Sequence, residues 1–265
     1  MSDAGQVTAS AAELYDGLFV PALFAEWAPK LVAAAGITEG MRVLDVACGT
    51  GVLALAAADV VGEKGAVVGV DLNPGMLAVA RGKGSGVAWH EGAAEALPFQ
   101  SQSFDAVVSQ FGLMFFSDQR AALEEMWRAV RPGGRLAVAV WGSLEDTPGY
   151  AAATALVSRL FGDPVADLLR SPYSLGDREE LQSLLAAAGI SEARVKLVPG
   201  AARFASIRTW MECDVRGWTL AAELDDAQFE VLASEAEKAL DAFVTEDGSV
   251  QFAHPALIAT AEKSA

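Results

Sequence analysis

Between Gly40 and Trp141, short apolar runs alternate with amphipathic segments along the chain. This alternation is typical of a parallel sheet that is covered by helices on both faces. It predicts strands at 42–47, 66–71, 87–91, 104–110 and 135–141, and helices at 52–61, 73–81 and 117–130. We expect Asn73 and Ser117 to cap two of these helices, and the turn at Pro132-Gly133-Gly134 to end the last one.

The pattern outside this stretch is mainly helical. Residues 11–35 are apolar with a helical spacing that Pro21 and Pro29 interrupt, so one or two helices are expected there. Downstream, the pattern predicts helices at 149–170, 177–188 and 206–243, a strand region at 193–204 and a last strand at 250–261. Gly189 is expected to end the second of these helices.

Composition and charge narrow the class of protein. The chain of 265 residues has 19 Lys and Arg against 35 Asp and Glu, a net charge of −16, which argues against nucleic-acid binding because phosphate affinity depends on clustered cations. No apolar run reaches the ~18 residues of a membrane span, so no integral membrane association is expected. Residues 1–10 lack a secretory signal pattern, which predicts a cytoplasmic location. Cys48 and Cys213 have no metal-ligand spacing, so no metal site is predicted.

The most informative motif is a glycine loop that follows the first predicted strand. Gly49, Gly51 and Ala54 match the G-x-G-x-x-G/A spacing of nucleotide-binding α/β domains. Asp71 stands at the end of the second predicted strand, where an acid can accept hydrogen bonds from both hydroxyls of an adenosine ribose. The pattern therefore predicts a ligand that contains adenosine.

Asp45, just before the loop, distinguishes between two ligands that contain adenosine, a dinucleotide and S-adenosylmethionine. A carboxylate facing the pyrophosphate of a dinucleotide at ~4 Å would cost about 4 kcal/mol at an effective dielectric near 20. S-adenosylmethionine has no phosphate and carries an ammonium and a sulfonium, so an acid at Asp45 favours it. The alternatives are a buried acid that caps its own loop, or an NAD-dependent oxidoreductase, against which the absence of a convincing Tyr-x-x-x-Lys pair also argues.

Five segments in order resemble class I S-adenosylmethionine-dependent methyltransferases of the small-molecule type, similar to the quinone-biosynthesis methyltransferases. They are Leu44-Asp45-Val46-Ala47-Cys48-Gly49-Thr50-Gly51, Gly69-Val70-Asp71-Leu72-Asn73-Pro74-Gly75-Met76-Leu77, Glu95-Ala96-Leu97-Pro98-Phe99, Phe104-Asp105 and Arg131-Pro132-Gly133-Gly134. The resemblance implies an α/β fold, a Rossmann-like three-layer sandwich whose seven-stranded, mostly parallel sheet has an antiparallel last strand. It divides the chain into N-terminal helices (1–39), a cofactor-binding core (40–145) and a remainder (146–265) with helical cap or lid insertions at about 147–175 and 206–245.

The resemblance also implies which residues hold S-adenosylmethionine. Carried over position by position, these are Tyr15, Asp45, Ala47, Gly49, Thr50, Gly51, Asp71, Leu72, Met76, Ala93, Ala94 and Gln110. One departure stands out, because the family usually has Gly-Asp-Ala where this chain has Gly92-Ala93-Ala94. The Asp that would accept from the adenine amino group is therefore missing, at a cost of ~0.5 to 1.5 kcal/mol for one hydrogen bond.

The acceptor side is less explicit. Aromatic residues near the carboxyl ends of the strands and in the downstream helices predict a hydrophobic or aromatic small molecule as methyl acceptor. The candidates for contact with it are Phe111, Phe115, Trp141, Trp210 and Trp218. Each of these residues could instead belong to the hydrophobic core. Proximity can supply ~7 to 11 kcal/mol of the barrier, so no general base is required. If a general base acts, His254 is the candidate for it. The sequence leaves open O-, N- or C-methylation, a homodimer, and a non-catalytic protein that only binds S-adenosylmethionine.

Overall fold

The computed structural model describes residues 9–84, 86–217, 220 and 223–264. Its strands are β1 (Arg42–Val46), β2 (Ala66–Asp71), β3 (Val87–Glu91), β4 (Phe104–Gln110), β5 (Val130–Trp141), β6 (Arg194–Val198), β7 (Ala201–Phe204), β8 (Val250–Ala253) and β9 (Ala256–Glu262). Its α-helices are α1 (Ala9–Leu14), α2 (Trp27–Ala34), α3 (Val52–Val61), α4 (Pro74–Gly82), α5 (Gln119–Ala129), α6 (Pro148–Phe161), α7 (Asp163–Arg170), α8 (Arg178–Ala187), α9 (Ile207–Glu212) and α10 (Asp226–Ala239).

Seven of the described strands form one sheet with the order β3-β2-β1-β4-β5-β9-β6. The pairs among β1 to β5 are parallel, whereas β9 pairs antiparallel with both β5 and β6. Val43, Leu44 and Val46 of β1 are fully buried because helices cover both faces of the central strands. The predicted fold class, a mostly parallel seven-stranded sheet with an antiparallel last strand, is confirmed.

Two helix boundaries test the capping predictions. Asn73 caps α4 as expected, since its side-chain oxygen accepts from the amides of Gly75 and Met76, and Pro74 fills the first turn. The prediction that Ser117 caps the next helix is wrong, because Asp118 accepts from the amide of Ala121 in α5. The reason is local: the backbone amides of Ser117 and Asp118 are themselves held by Glu95.

The predicted turn at 132–134 is part of β5 instead. Helix α5 ends at Ala129, and the strand begins directly at Val130. The register of β5 against β4 shifts between Phe104 and Ala106, so an irregularity absorbs the glycines. Gly133 has a φ of 72°, which a non-glycine residue would rarely adopt there.

The two downstream strand regions are each divided. Residues 193–204 form β6 and β7, and residues 250–261 form β8 and most of β9. Strands β7 and β8 pair as a separate two-stranded sheet. The breaks fall at Pro199 and Pro255, which lack the amide hydrogen that a sheet ladder requires. His254 therefore lies between two strands and not within the last one as predicted, with its amide bound to the carbonyl of Gly200 at 2.9 Å.

The N-terminal segment folds as α1, a π-helix at Tyr15–Phe24 and α2. Pro21 lies inside the π-helix and Pro29 in the first turn of α2. The expectation that these prolines interrupt the helices is therefore wrong, because neither of them ends a helix. Among the described residues, no single helix has the length and apolar character of a membrane span, although the bent pair Ala11–Phe24 and Trp27–Ala34, at 63°, passes by length and composition.

Candidate functional site

The glycine loop connects β1 to α3 through left-handed backbone. Gly51 precedes α3 with a φ of 91°, and a Cβ atom there would lie 2.6 Å from the ring of Trp89. Two non-glycine residues nearby also have positive φ, Ala47 at 58° and Phe111 at 57°. They directly follow the adjacent strands β1 and β4. Such outliers persist where the surrounding structure enforces them, often at functional sites.

Beside this loop lies a cavity of about 30 Å³, which we call the loop cavity. Six of the predicted cofactor residues line it, and the complete lining is Tyr15, Phe24, Asp45, Ala47, Cys48, Gly49, Thr50, Val52, Leu53 and Gln110. This volume holds about one water molecule. Tyr15 and Phe24 come from the π-helix, which therefore forms one wall of the cavity.

The loop cavity contains buried oxygen atoms that lack partners. Asp45 is 1% exposed, and neither of its carboxylate oxygens has a well-formed hydrogen bond among the described residues. Burial raises the pKa of Asp45 well above its ordinary value, and the nearby Ala54 amide opposes the rise only in part. Thr50 Oγ1 and Gln110 Oε1 are also unpartnered. Together they suit a ligand group that donates several hydrogen bonds, such as an ammonium.

Asp71 ties the glycine loop to the start of α4. Its carboxylate oxygens accept from the backbone amides of Gly49 and Asn73, both at 2.8 Å. Burial raises the pKa of Asp71, and these two amides oppose the rise. Leu72 follows with 55% of its surface exposed, whereas Met76 is buried. An acid with remaining acceptor capacity next to an exposed apolar surface is what a ribose and its base require.

The segment that lacks the expected Asp follows β3. Ala93 is half-buried and Ala94 is buried. Glu95, the acid that directly follows this segment, accepts from the amides of Ser117 and Asp118 at 3.0 and 3.3 Å. Since its carboxylate is engaged with the start of α5, Glu95 does not replace the missing adenine acceptor.

A second cavity, of about 20 Å³, lies beyond the carboxyl end of β5, and we call it the aromatic cavity. Phe19, Leu23, Trp141, Tyr150, Leu169, Pro172, Tyr173, Asp214 and His254 line it. Trp141 is stacked between Phe111 and His254, with ring centroids 3.5 and 3.9 Å apart. The two cavities are neighbours, because Phe24 of the loop cavity contacts Trp141 at 5.7 Å between centroids.

Two polar pairs line the aromatic cavity. Tyr150 donates its hydroxyl to Asp214 Oδ1 at 3.1 Å, and the hydroxyl of Tyr173 lies 3.0 Å from His254 Nε2. Burial raises the pKa of Asp214 to about 7, with the Tyr150 hydroxyl and the nearby indole of Trp210 opposing the rise. Burial lowers the pKa of His254 to about 3.

The other predicted acceptor residues lie elsewhere. Trp210 is fully buried and packs on Tyr150, Phe204 and Phe252, behind the lining of the aromatic cavity. Phe115 is half-buried in a short 3-10 helix at Leu113–Phe115. Trp218 lies outside the described residues.

No group of His, Cys, Asp and Glu suited to a metal ion occurs in the part of the chain that the structure describes.

Sequence reasoning missed Asp214 as a site residue. It lies in the mainly apolar run Trp210-Met211-Glu212-Cys213-Asp214-Val215, which contains two acids, and the short helix that carries it leaves it 3% exposed. The sequence does not show which of the two acids is buried, nor that Tyr150 and His254 converge on Asp214.

The sheet order, the glycine loop and the acid that ends β2 together define a class I S-adenosylmethionine-dependent methyltransferase fold. The chain belongs to the ubiE/COQ5 methyltransferase family, whose model matches residues 8–203. The family is S-adenosylmethionine-dependent, so the class of protein and the cofactor predicted from the motifs are confirmed.

Individual relatives differ in how much of the chain they match. An uncharacterized protein of Mycobacterium tuberculosis is 43% identical over 129 residues, which are 47% of this chain and 46% of that protein, so the match spans about half of each. Demethylmenaquinone methyltransferase of Staphylococcus carnosus is 33% identical over 66% of this chain and 78% of its own length. Phosphoethanolamine N-methyltransferase 2 of Haemonchus contortus, solved with S-adenosyl-L-methionine, has 21% identity and a TM-score of 0.64 over 99% of this chain and 59% of that one, which shows the fold alone.

Proposed function

We propose that this chain transfers a methyl group from S-adenosylmethionine to a hydrophobic or aromatic small molecule. The observation that carries the proposal is Asp45, a buried carboxylate without a well-formed partner beside a glycine loop. Such a group is costly unless a cation or several donors meet it, and the ammonium of S-adenosylmethionine is such a cation. When bound, the cofactor supplies a methyl carbon that its sulfonium already activates.

The residues of the loop cavity divide the binding between them. Asp45, Thr50 and Gln110 receive the amino acid end, and Tyr15 closes that end from the π-helix. Asp71 binds the ribose hydroxyls, and the exposed side chain of Leu72 packs on the adenine. Ala47, Gly49 and Gly51 let the backbone approach the ligand, while Met76, Ala93 and Ala94 complete the adenine side. In-line orientation and proximity then provide most of the acceleration.

The acceptor lies on the side of the aromatic cavity, with Phe111 and Trp141 in its wall. Helices α6, α7, α9 and α10 form the cap over that side. The staphylococcal relative is named for demethylmenaquinone, which supports an aromatic acceptor of the quinol type for this chain. We further propose a cytoplasmic protein that binds no nucleic acid and that acts as a monomer or a homodimer.

Two other functions use the same fold. An NAD-dependent oxidoreductase would place its pyrophosphate against Asp45, which repels it. A protein that binds S-adenosylmethionine without transfer would have the loop cavity but no need for the polar pairs of the aromatic cavity. Those pairs favour a catalyst, because a buried acid and a buried histidine beside the cofactor site are costly to maintain in an inert protein.

Calorimetry tests the cofactor assignment. We expect S-adenosylmethionine and S-adenosylhomocysteine to bind and NAD not to bind. Asp45→Asn should weaken S-adenosylmethionine at least tenfold, because it removes the charge opposite the ammonium. Asp59→Asn, which makes the same change on the exposed face of α3, is the matched control and should leave the affinity within twofold. Binding of NAD in preference to S-adenosylmethionine would overturn the proposal.

Radiolabel transfer tests catalysis. We expect label from methyl-labelled S-adenosylmethionine to enter naphthohydroquinones or other aromatic compounds in an organic extract of bacterial metabolites. Labelled product that partitions into organic solvent supports a hydrophobic acceptor. If the protein binds S-adenosylmethionine but labels neither the naphthohydroquinones nor the extract, the non-catalytic alternative is favoured.

A further inference from the structure

The aromatic cavity holds polar atoms that the protein itself does not satisfy. Asp214 Oδ2 and His254 Nδ1 are buried without well-formed hydrogen bonds among the described residues, although the Trp210 indole N–H lies close enough to Asp214 to lower its pKa, and both residues line the cavity. Asp214 is 3% exposed and His254 is 1% exposed. Buried polar atoms are nearly always paired, so two orphans at one cavity indicate a polar group of a ligand.

The volume and position of the cavity indicate which part of a ligand enters it. About 20 Å³ accommodates a group the size of a hydroxyl or a water molecule, and not an aromatic ring. The cavity adjoins the cofactor side, because Trp141 in its lining contacts Phe24, which lines the loop cavity together with Asp45. The polar group that enters is thus next to the cofactor side, where the reacting atom of a methyl acceptor has to be.

No positive charge stabilises the ionised carboxylate of Asp214 among the described residues. Its carboxylate is surrounded by Tyr150, Tyr173, His254 and Cys213, the last being the residue directly before Asp214. None of these four is a cation at neutral pH. The elements packed against its helix add Glu13 from α1, Tyr15 and Asp16 from the π-helix, and Glu212 from α9. Arg216, two residues further along the chain, is exposed and pairs with Asp226. Among the described residues, no Lys or Arg pairs with Asp214.

The two polar pairs are unequal as proton acceptors. Burial lowers the pKa of His254 to about 3, which makes it a neutral and weakly basic imidazole. Burial raises the pKa of Asp214 to about 7, near the pH at which a general base works best. His254, the base that the sequence suggested, is better suited to orient the acceptor through its bond with Tyr173.

We propose that Asp214 is the general base for the methyl acceptor and that Tyr150 positions its carboxylate. As the acceptor's nucleophilic atom forms its bond to the methyl carbon, its bond to hydrogen breaks and that electron pair stays with the acceptor. The proton passes to Asp214 Oδ2, and the electrons of the carbon–sulfur bond remain on sulfur. Tyr150 donates to Oδ1, so the acceptor's proton is assigned to Oδ2, which has no well-formed hydrogen bond. This assignment rests on the proposed function.

Titration of the free protein tests the base without requiring turnover. The full chain is labelled with aspartate carrying ¹³C at Cγ, and Asp214→Asn identifies the resonance of Asp214. We expect that resonance to titrate near neutral pH, at least two pH units above exposed aspartates. In Tyr150→Phe, the loss of the donated hydrogen bond should move the midpoint to higher pH. In the matched variant Tyr173→Phe, which removes a hydroxyl from the other pair, the midpoint should stay within half a unit.

Kinetics then test the role, with 1,4-naphthohydroquinone as acceptor probe and labelled S-adenosylmethionine as donor. We expect the rate to rise about tenfold per pH unit below the midpoint and to level off above it. Asp214→Asn should lower kcat at least hundredfold and abolish the inflection, in line with the ~10² to 10⁴ of a general base. Tyr150→Phe should shift the inflection to higher pH and recover kcat on the plateau, whereas His254→Gln should leave its midpoint unchanged.

The outcomes separate failure of the base from failure of the proposed function. S-adenosylhomocysteine affinity within twofold in every variant, measured by calorimetry, shows that the cofactor site is intact. The proposal is overturned if Asp214 does not titrate near neutral pH, if Asp214→Asn keeps the inflection, or if the inflection moves with His254. If wild-type protein binds S-adenosylhomocysteine but labels no probe, the acceptor class fails and the titration still decides the ionisation of Asp214.

Discussion

The polar groups of the loop cavity come mainly from the stretch 45–50, whereas those of the aromatic cavity come from four separated segments. Asp45 is placed by a strand and a glycine loop that are continuous with it. Asp214 depends on α6, on the short helix at Ser171–Tyr173 and on the β8–β9 connection for Tyr150, Tyr173 and His254. Both acids are buried, and no described Lys or Arg pairs with either of them, so local and long-range construction lead to the same kind of electrostatic environment.

The comparison explains why the loop cavity suits one constant cofactor, whereas the aromatic cavity can adapt to different acceptors. A site built from one contiguous motif keeps its geometry when distant segments change. A site built from four segments can be altered by a substitution in any of them, without disturbing the glycine loop. The cofactor half is therefore suited to a constant ligand, and the acceptor half to acceptors that differ among relatives.

The largest effect is expected from Asp71→Ala, which should weaken S-adenosylhomocysteine binding at least a hundredfold. The variant loses two hydrogen bonds from ribose hydroxyls to a charged acceptor, each worth ~1.5 to 3 kcal/mol. It also frees the amides of Gly49 and Asn73, which loosens the loop. Calorimetry gives the affinity, and Asp59→Asn again serves as the control on α3. An affinity within threefold of wild type in a folded variant would place the ribose contact elsewhere.

How much could be predicted from the sequence follows the same division. The parallel strands, α3, the Asn73 cap and the residues of the glycine loop follow from local periodicity and from motifs of fixed spacing. The division of the last strand regions at Pro199 and Pro255 was missed, although proline supplies a local signal for it. The convergence of Tyr150, Asp214 and His254 could not be predicted, because it depends on how the downstream helices pack and no spacing in the sequence encodes that.

The next largest effect concerns stability, since Asp214 and His254 contribute to it with opposite pH dependence. Asp214 has a pKa of about 7 in the folded protein against ~3.9 unfolded, so its contribution is lost as pH rises from ~4 to about 7. His254 has a pKa of about 3 when folded against ~6.5 unfolded, so its contribution is lost as pH falls over that range. Between pH ~4 and ~6.5 the two slopes nearly cancel in the wild-type protein.

Asp214→Asn removes one of the two slopes. Relative to wild type, the free energy of unfolding should then rise with pH from ~4 to about 7, and at pH 8 it should exceed the wild-type value by about 2 to 4 kcal/mol, because a desolvated charge is gone. His254→Gln should give the opposite slope. Urea unfolding at intervals between pH 4 and 8 measures both differences. Parallel profiles for wild type and Asp214→Asn would mean that Asp214 does not titrate in this window.

The smallest effect sharpens the assignment of the adenine side. Leu72 has 55% of its surface exposed directly after Asp71, and Leu197 is 52% exposed on β6, a strand that carries no residue of either cavity. If Leu72 packs on the adenine, Leu72→Ala should weaken S-adenosylhomocysteine binding by about 1 kcal/mol, roughly fivefold, through lost apolar contact. Leu197→Ala removes the same group from a similar exposure and should leave the affinity unchanged. Calorimetry on the two variants side by side separates a ligand contact from a general effect of trimming an exposed leucine, and equal affinities would remove Leu72 from the site.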